Sequence, residues 1–159
     1  MVEMPFYNFD LEPDRPESVI EFVNEIRQAD AVCIVTPEYN RSIPAVLKNA
    51  IDWGSKPAEL SVWRNRVVAT TGASPGAIGT AIGQQHLRQI LASIGAVVLP
   101  GLSYISFKTP DMIDENGSVA DTVAKDFIAD FVLRFDKLIE CIKTMESRSM
   151  REAAKVQKR

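Results

Sequence analysis

Ala31–Trp53, AVCIVTPEYNRSIPAVLKNAIDW, decides how the rest of the 159-residue chain is read. Ala31–Thr36 is almost continuously apolar, which predicts a strand covered on both faces, as in a parallel sheet of an α/β domain. Pro37-Glu38-Tyr39-Asn40-Arg41 is polar and follows the carboxyl end of that strand, where ligands bind in open α/β sheets. A helix follows. Ser42 is placed to cap it, and Pro44 suits a first turn whose N–H groups have no intrahelical partner.

Working outward, the same grammar repeats. Pro16–Ala29 carries Val19, Ile20, Val23, Ile26 and Ala29 at helical spacing. Arg66–Thr71 is a second apolar strand, followed by a glycine-rich loop, Gly72–Gly79. Thr80–Ile94 is helical, with Ile82, Leu87, Ile90, Leu91 and Ile94 on one face, and Gly95 is placed to end it in the left-handed conformation. Ala96–Leu99 is a third strand, and Ser103–Lys108 alternates as a short extension. Pro110–Ser118 is a loop with an Asn-Gly turn signal. From Ala120 onward, Val123, Ala124, Phe127, Ile128, Phe131, Val132, Phe135, Leu138, Ile139 and Ile142 keep helical period, which reads as core packing. Alternating strands and helices imply βαβ units with right-handed crossovers.

Two long blocks, TPEYNRSIPAVLKNAIDW and TTGASPGAIGTAIGQQHLRQILASIGAVVLPG (Thr70–Gly101), in this order resemble the NAD(P)H-dependent FMN reductase family. That flavodoxin-like family includes quinone, azo-dye and chromate reductases. The resemblance implies an α/β fold, a flavodoxin-like three-layer parallel sheet, over residues 1–145, with 146–159 as a charged helical tail. It implies FMN as cofactor and NADPH or NADH as reductant. The acceptor would be a quinone, azo compound, metal oxyanion or free flavin. Pro37, Glu38, Tyr39 and Asn40 match the loop that wraps the flavin ring and ribityl chain, and Ser74, Pro75 and Gly76 match the loop at its pyrimidine edge. No protein group need act as acid or base, because flavin N5 takes the hydride. A homodimer or homotetramer is implied, with the flavin near an interface. MPFYNFDLEPDR matches the family's loop after its second strand and is expected near a neighbouring subunit's flavin pocket, or as a surface loop held by Phe6, Tyr7 and Phe9.

The residues alone support a narrower statement. A glycine-rich loop ahead of a helix lets the backbone approach an anionic or carbonyl edge closely. It is neither a Walker A loop nor G-x-G-x-x-G. The family's first strand and its Ser/Gly/Arg/Asn phosphate loop have no match here. Two expectations stay open: Met1 is internal to a longer reading frame, or the chain is a non-catalytic remnant or assembly module that binds FMN weakly. In the second case the Ala31–Thr36 strand would be a bare apolar edge. A third reading pairs Ser74 with His86 as a hydrolase, without the G-x-S-x-G elbow.

Composition narrows the partners. With 46% hydrophobic and 25% charged residues, the chain has the makeup of one globular domain. A net charge of −3 argues against nucleic acid and anionic membranes. No run is long enough to span a bilayer and no signal-peptide pattern opens the chain, so a cytoplasmic location is expected. Cys33 and Cys141 are expected to be buried free thiols, and without C-x-x-C there is no support for a metal site.

Overall fold

The computed structural model describes residues 4–106, 109 and 112–156, the last three of these without their side chains. Met1, Lys108, Pro110, Lys158 and Arg159, which figure in the expectations above, lie outside the described residues, as does the side chain of Lys155.

The chain runs α1 (Glu17–Gln28), β1 (Ala31–Val35), α2 (Ala45–Gly54), β2 (Val67–Ser74), α3 (Ala81–Ser93), β3 (Val97–Val98), β4 (Tyr104–Ser106) and α4 (Thr122–Val156). All strand pairs are parallel. β1 lies against β2 with Ala31 opposite Val67, β3 pairs with Val67–Val68, and β4 pairs with Gly72–Ser74. β2 is therefore the axis of the sheet.

Side chains alternate across a strand, and the two faces of β2 enter two cores. Ile34 and Val68 join Val19, Val23 and Ile26 of α1, Leu47, Ala50, Ile51 and Trp53 of α2, and Leu87 and Leu91 of α3. Ala69, on the other face, meets Leu99 and Phe131, with Phe135 and Leu138 alongside. Strands alternate with helices as the sequence pattern predicts, in the three-layer α/β arrangement that the resemblance implies.

Five local expectations are corrected. β1 is not covered on both faces: Ile34 is buried, but Val35 is 74% exposed. Among the described residues only β2 pairs with it, so it ends the sheet as a half-open apolar edge. Cys33 and Cys141 are exposed rather than buried, Cys33 because it lies on that uncovered side and Cys141 because it faces outward on α4. Ser42 does not cap α2. The helix begins after Pro44, with no side-chain cap, which leaves Ser42 too far back to reach its first amides. Gly72–Ser74 belongs to β2 rather than to a loop, because pairing with β4 extends the ladder. The apolar stripe of α4 is only partly core: Ala124 and Phe131 are buried, while Val123 is 77% and Val132 55% exposed. A 35-residue helix, about 52 Å long, outruns a sheet of short strands. It passes residue 145 without a break, and residues 147–153 are exposed.

The amino-terminal stretch is fastened to α2. Asn49 accepts the Tyr7 amide at 2.8 Å and donates to the Pro5 carbonyl at 2.9 Å, while Trp53 Nε1 reaches the same carbonyl at 2.8 Å. The Tyr7 ring meets Trp53 edge-on, with centroids 5.2 Å apart.

Candidate active site

Two loops meet at the carboxyl ends of neighbouring strands, and between them lies a cavity of about 440 Å³. Glu38, Asn40 and Arg41 line it from the β1 side, and Ser74, Gly76, Ala77, Ile78 and Gly79 from the β2 side.

The first loop closes on itself. Tyr39 and Ser42 exchange two backbone hydrogen bonds, each 2.9 Å. Asn40 and Arg41 between them have φ of 50° and 64°. Two left-handed residues in succession make the tightest reversal available to a chain, usually written Asn-Gly. At the head of the loop, Thr36 is buried, and its amide donates to Thr71 O at 3.0 Å, so the loop leaves the sheet from a fixed point.

The second loop is held from below and from the side. Ser74 Oγ accepts the Gly76 amide at 3.2 Å, and Ser106 Oγ of β4 donates to the Gly76 carbonyl at 2.8 Å. Thr80 and Gln84, both fully buried, tie the start of α3 to the chain ahead of β4: Gln84 Nε2 donates to Thr80 Oγ1 at 2.8 Å and to Ser103 O at 2.7 Å.

The first loop is tied through Glu38 to the start of α3, the helix that the second loop leads into. Its Oε2 accepts the Gly83 amide of α3 at 2.8 Å, and its Oε1 faces Arg41 Nη1 at 3.2 Å. A carboxylate there lies at the positive end of the helix, where it is favoured. The approach depends on missing side chains. A Cβ on Gly83 would lie 3.1 Å from Ser42 O and 3.2 Å from Glu38 Cγ, and one on Gly72 only 2.1 Å from Thr36 O.

Of the residues singled out from sequence, the fold brings Glu38, Asn40, Ser74 and Gly76 around one cavity. Pro37 turns instead toward an apolar groove beside β1 that Phe22, Val32, Val35 and Val46 also line. Tyr39 is 59% exposed at the tip of its turn, and Pro75 is exposed. His86 is not paired with Ser74. Its Nδ1 lies 2.7 Å from Ser42 Oγ, which gives the serine a partner other than α2. Gly83, which no motif singles out, and Arg41, which the flavin-loop match stops short of, are contact points of the site. The signal available was the Asn-Arg-Ser spacing of a two-residue reversal.

The class defined by this geometry is a parallel α/β domain with a loop-built cleft at the carboxyl edge of its sheet. The family model for NADPH-dependent FMN reductase matches residues 1–110. A 2-hydroxy-1,4-benzoquinone reductase from a Burkholderia species is 40% identical over 132 residues, 83% of this chain and 72% of that protein. A quinone reductase of Escherichia coli strain K12 is 36% identical over 146 residues, covering 90% and 77%. Among solved structures, FerB of Paracoccus denitrificans, a flavoenzyme NAD(P)H:(acceptor) oxidoreductase, superimposes with a TM-score of 0.81 at 40% identity, over 87% of this chain and 76% of that one.

The chain belongs to the NADPH-dependent FMN reductase family and has its flavodoxin-like fold. It is an NAD(P)H-dependent oxidoreductase whose cofactor is FMN. The cavity suits such a group. One wall is the mostly small-residue Ser74–Gly79 segment, and the other carries the Asn40 amide, the Arg41 guanidinium and the Glu38 carboxylate, whose oxygens are already taken by Gly83 and Arg41, so the free groups include donors for the carbonyl-bearing edge of a flavin. No helix among the described residues is long and apolar enough to cross a membrane.

Proposed function

We propose that FMN lies across the cavity between the two loops, with Glu38 and Asn40 of the Pro37–Asn40 loop beside its ring and ribityl chain and Ser74 and Gly76 of the Ser74–Gly76 stretch at its pyrimidine edge, and that the acceptor is a small quinone. The observation that carries this reading is that both loops line one cavity, the first of them tied to the start of α3 by the Glu38–Gly83 hydrogen bond. The quinone rests on the relatives, two of which are named for quinone reduction.

FMN supplies the redox chemistry, taking a hydride from the nicotinamide and giving up electrons to the acceptor. The chain's own work is positional. The Gly76 and Gly79 amides are used within the loop, which leaves those of Ala77 and Ile78 to approach the pyrimidine edge. The start of α3 adds a positive field beside an electron-rich ring. Asn40 contributes an amide that can donate and accept. The Tyr39–Ser42 reversal keeps that amide over the cavity. The nicotinamide and the acceptor then use the open side of the cavity in turn, which gives ping-pong kinetics. Residues 1–145 act as one domain and 146–159 as its tail, in a homodimer or homotetramer.

The test is to incubate the purified chain with FMN, desalt it, and measure retained flavin per chain. NADPH oxidation with 1,4-benzoquinone as acceptor follows. About one flavin per chain and quinone-dependent turnover are expected. Glu38→Ala and Gly76→Val should each lower flavin retention, and retention unchanged in both would place the cofactor elsewhere.

A further inference from the structure

The charged side chains around the cavity are Glu38 and Arg41. Glu38 is committed on both oxygens, to the Gly83 amide and to Arg41, and its side chain is 7% exposed. Arg41 is 64% exposed, and its contact with Glu38, at 3.2 Å, is the one hydrogen bond its guanidinium makes among the described residues. A guanidinium carries five N–H donors in a planar fork suited to carboxylate, sulfonate and phosphate oxygens. The rest of that fork has no partner among the described residues, and Arg41 both lines the cavity and is open to solvent.

Arg41 holds this place against its backbone preference. Its φ of 64° is one that side chains rarely take, and in a reversal of this type glycine is the usual occupant. Arg41 nevertheless sits there, steadied by Glu38 beneath it and by the paired Tyr39 and Ser42 backbones on either side. An exposed cation lining the cavity, with most of its donors unpaired among the described residues, can meet an anion arriving from solvent.

We propose that Arg41 is the specificity-determining residue for a negatively charged second substrate, receiving an anionic oxygen at the mouth of the cavity. That oxygen belongs either to the 2′-phosphate of NADPH or to a carboxylate or sulfonate on the acceptor. The assignment rests on the flavin placement proposed above.

The experiment uses the FMN-loaded protein and two matched substrate pairs. NADPH and NADH differ by one phosphate. A sulfonated benzoquinone and 1,4-benzoquinone differ by one sulfonate. The quantity read is the ratio of kcat/KM, charged member over neutral member. Arg41→Gln should lower that ratio about tenfold for one pair, the loss expected when a charge-assisted hydrogen bond disappears. Arg41→Glu should lower it further, and Arg41→Lys should recover part of it. A fall confined to the nicotinamide pair identifies the phosphate as the ligand, and a fall confined to the quinone pair identifies the acceptor. The preference of the unaltered protein should shrink as ionic strength rises. Ratios unchanged in Arg41→Gln for both pairs would overturn the assignment, as would loss of flavin from that variant, which would make Arg41 a cofactor contact. Failure of the unaltered protein to take up FMN at all would bring down the flavin placement itself, and this is read separately in the flavin titration.

Discussion

Glu38 accepts the amide N–H of Gly83 at 2.8 Å, across the gap between the loop after β1 and the first turn of α3. These residues are 45 positions apart. Their bond is the only direct hydrogen bond from the 38–41 segment to α3 among the described residues.

Removing that carboxylate should cost both stability and cleft geometry. Hydrogen bonds to charged groups are worth about 1.5–3 kcal/mol, so Glu38→Ala should lower the free energy of unfolding by about 2 kcal/mol in urea titrations. Glu38→Gln keeps an acceptor and should lose less than half of that. Equal losses in both variants would mean that the bond contributes by charge alone.

The glycines at the seam predict a graded response. Gly72→Ala puts a methyl against the Thr36 backbone carbonyl, which cannot swing aside, and should destabilise by about 1–3 kcal/mol or prevent folding. Gly83→Ala meets its neighbours at 3.1 and 3.2 Å, so a shift of a few tenths of an ångström accommodates it. It should melt closer to the unaltered protein while loosening the Glu38 contact. Thermal unfolding of the two variants side by side checks the order.

Asn49 holds the amino-terminal stretch with both ends of its amide while itself 9% exposed. Asn49→Ala leaves the Tyr7 amide without that acceptor and the Pro5 carbonyl with Trp53 alone. The expected loss is about 1–3 kcal/mol. Limited proteolysis should then cut near Phe9–Leu11 well before it cuts the sheet. Cleavage at an unchanged rate would show that Trp53, through its ring contact with Tyr7 and its bond to the Pro5 carbonyl, holds the segment without Asn49.

Cys33 lies in view of solvent, yet its thiol is pushed above the ordinary cysteine value by desolvation from the apolar residues around it. Because the thiolate is the reactive form, iodoacetamide should label it more slowly at pH 8 than it labels a free cysteine, with a rate that climbs at a higher pH. Urea unfolding should erase the lag. The matching stability term has a definite sign. The folded chain holds the thiol proton more tightly, so the contribution is complete below the unfolded pKa and is lost as pH rises through the folded one.

Where side chains report only on their own element, the residues spoke clearly. Of the α1 stripe, Val19, Val23 and Ile26 are buried as spaced while Ile20 is 39% exposed, Gly95 does end α3 with a φ of 86°, and the loops holding Glu38 and Ser74 do face one cavity. Burial is a different kind of property, since it depends on what lies opposite. Cys33 and Val35 read as core because strands of that composition usually have neighbours on each side, and Val123 and Val132 read as core because helical period says which residues share a face but not how long the facing sheet is. Ser42 carried the ambiguity of every serine before a helix. The choice between α2 and His86 was settled by where α3 lay, and no window around residue 42 contains that.

The open side of β1 sets a limit on how this chain behaves in bulk. Thr36 turns its N–H toward β2, so by alternation Cys33 and Val35 present theirs outward, on a strand with apolar side chains. Concentrated refolding mixtures should lose material through this rim first, in a second-order fashion, while dilute ones recover it. A single lysine at position 35 would act as a gatekeeper. Because the valine there is already 74% exposed, Val35→Lys gives up little packing and should raise the refolding yield without touching the cleft.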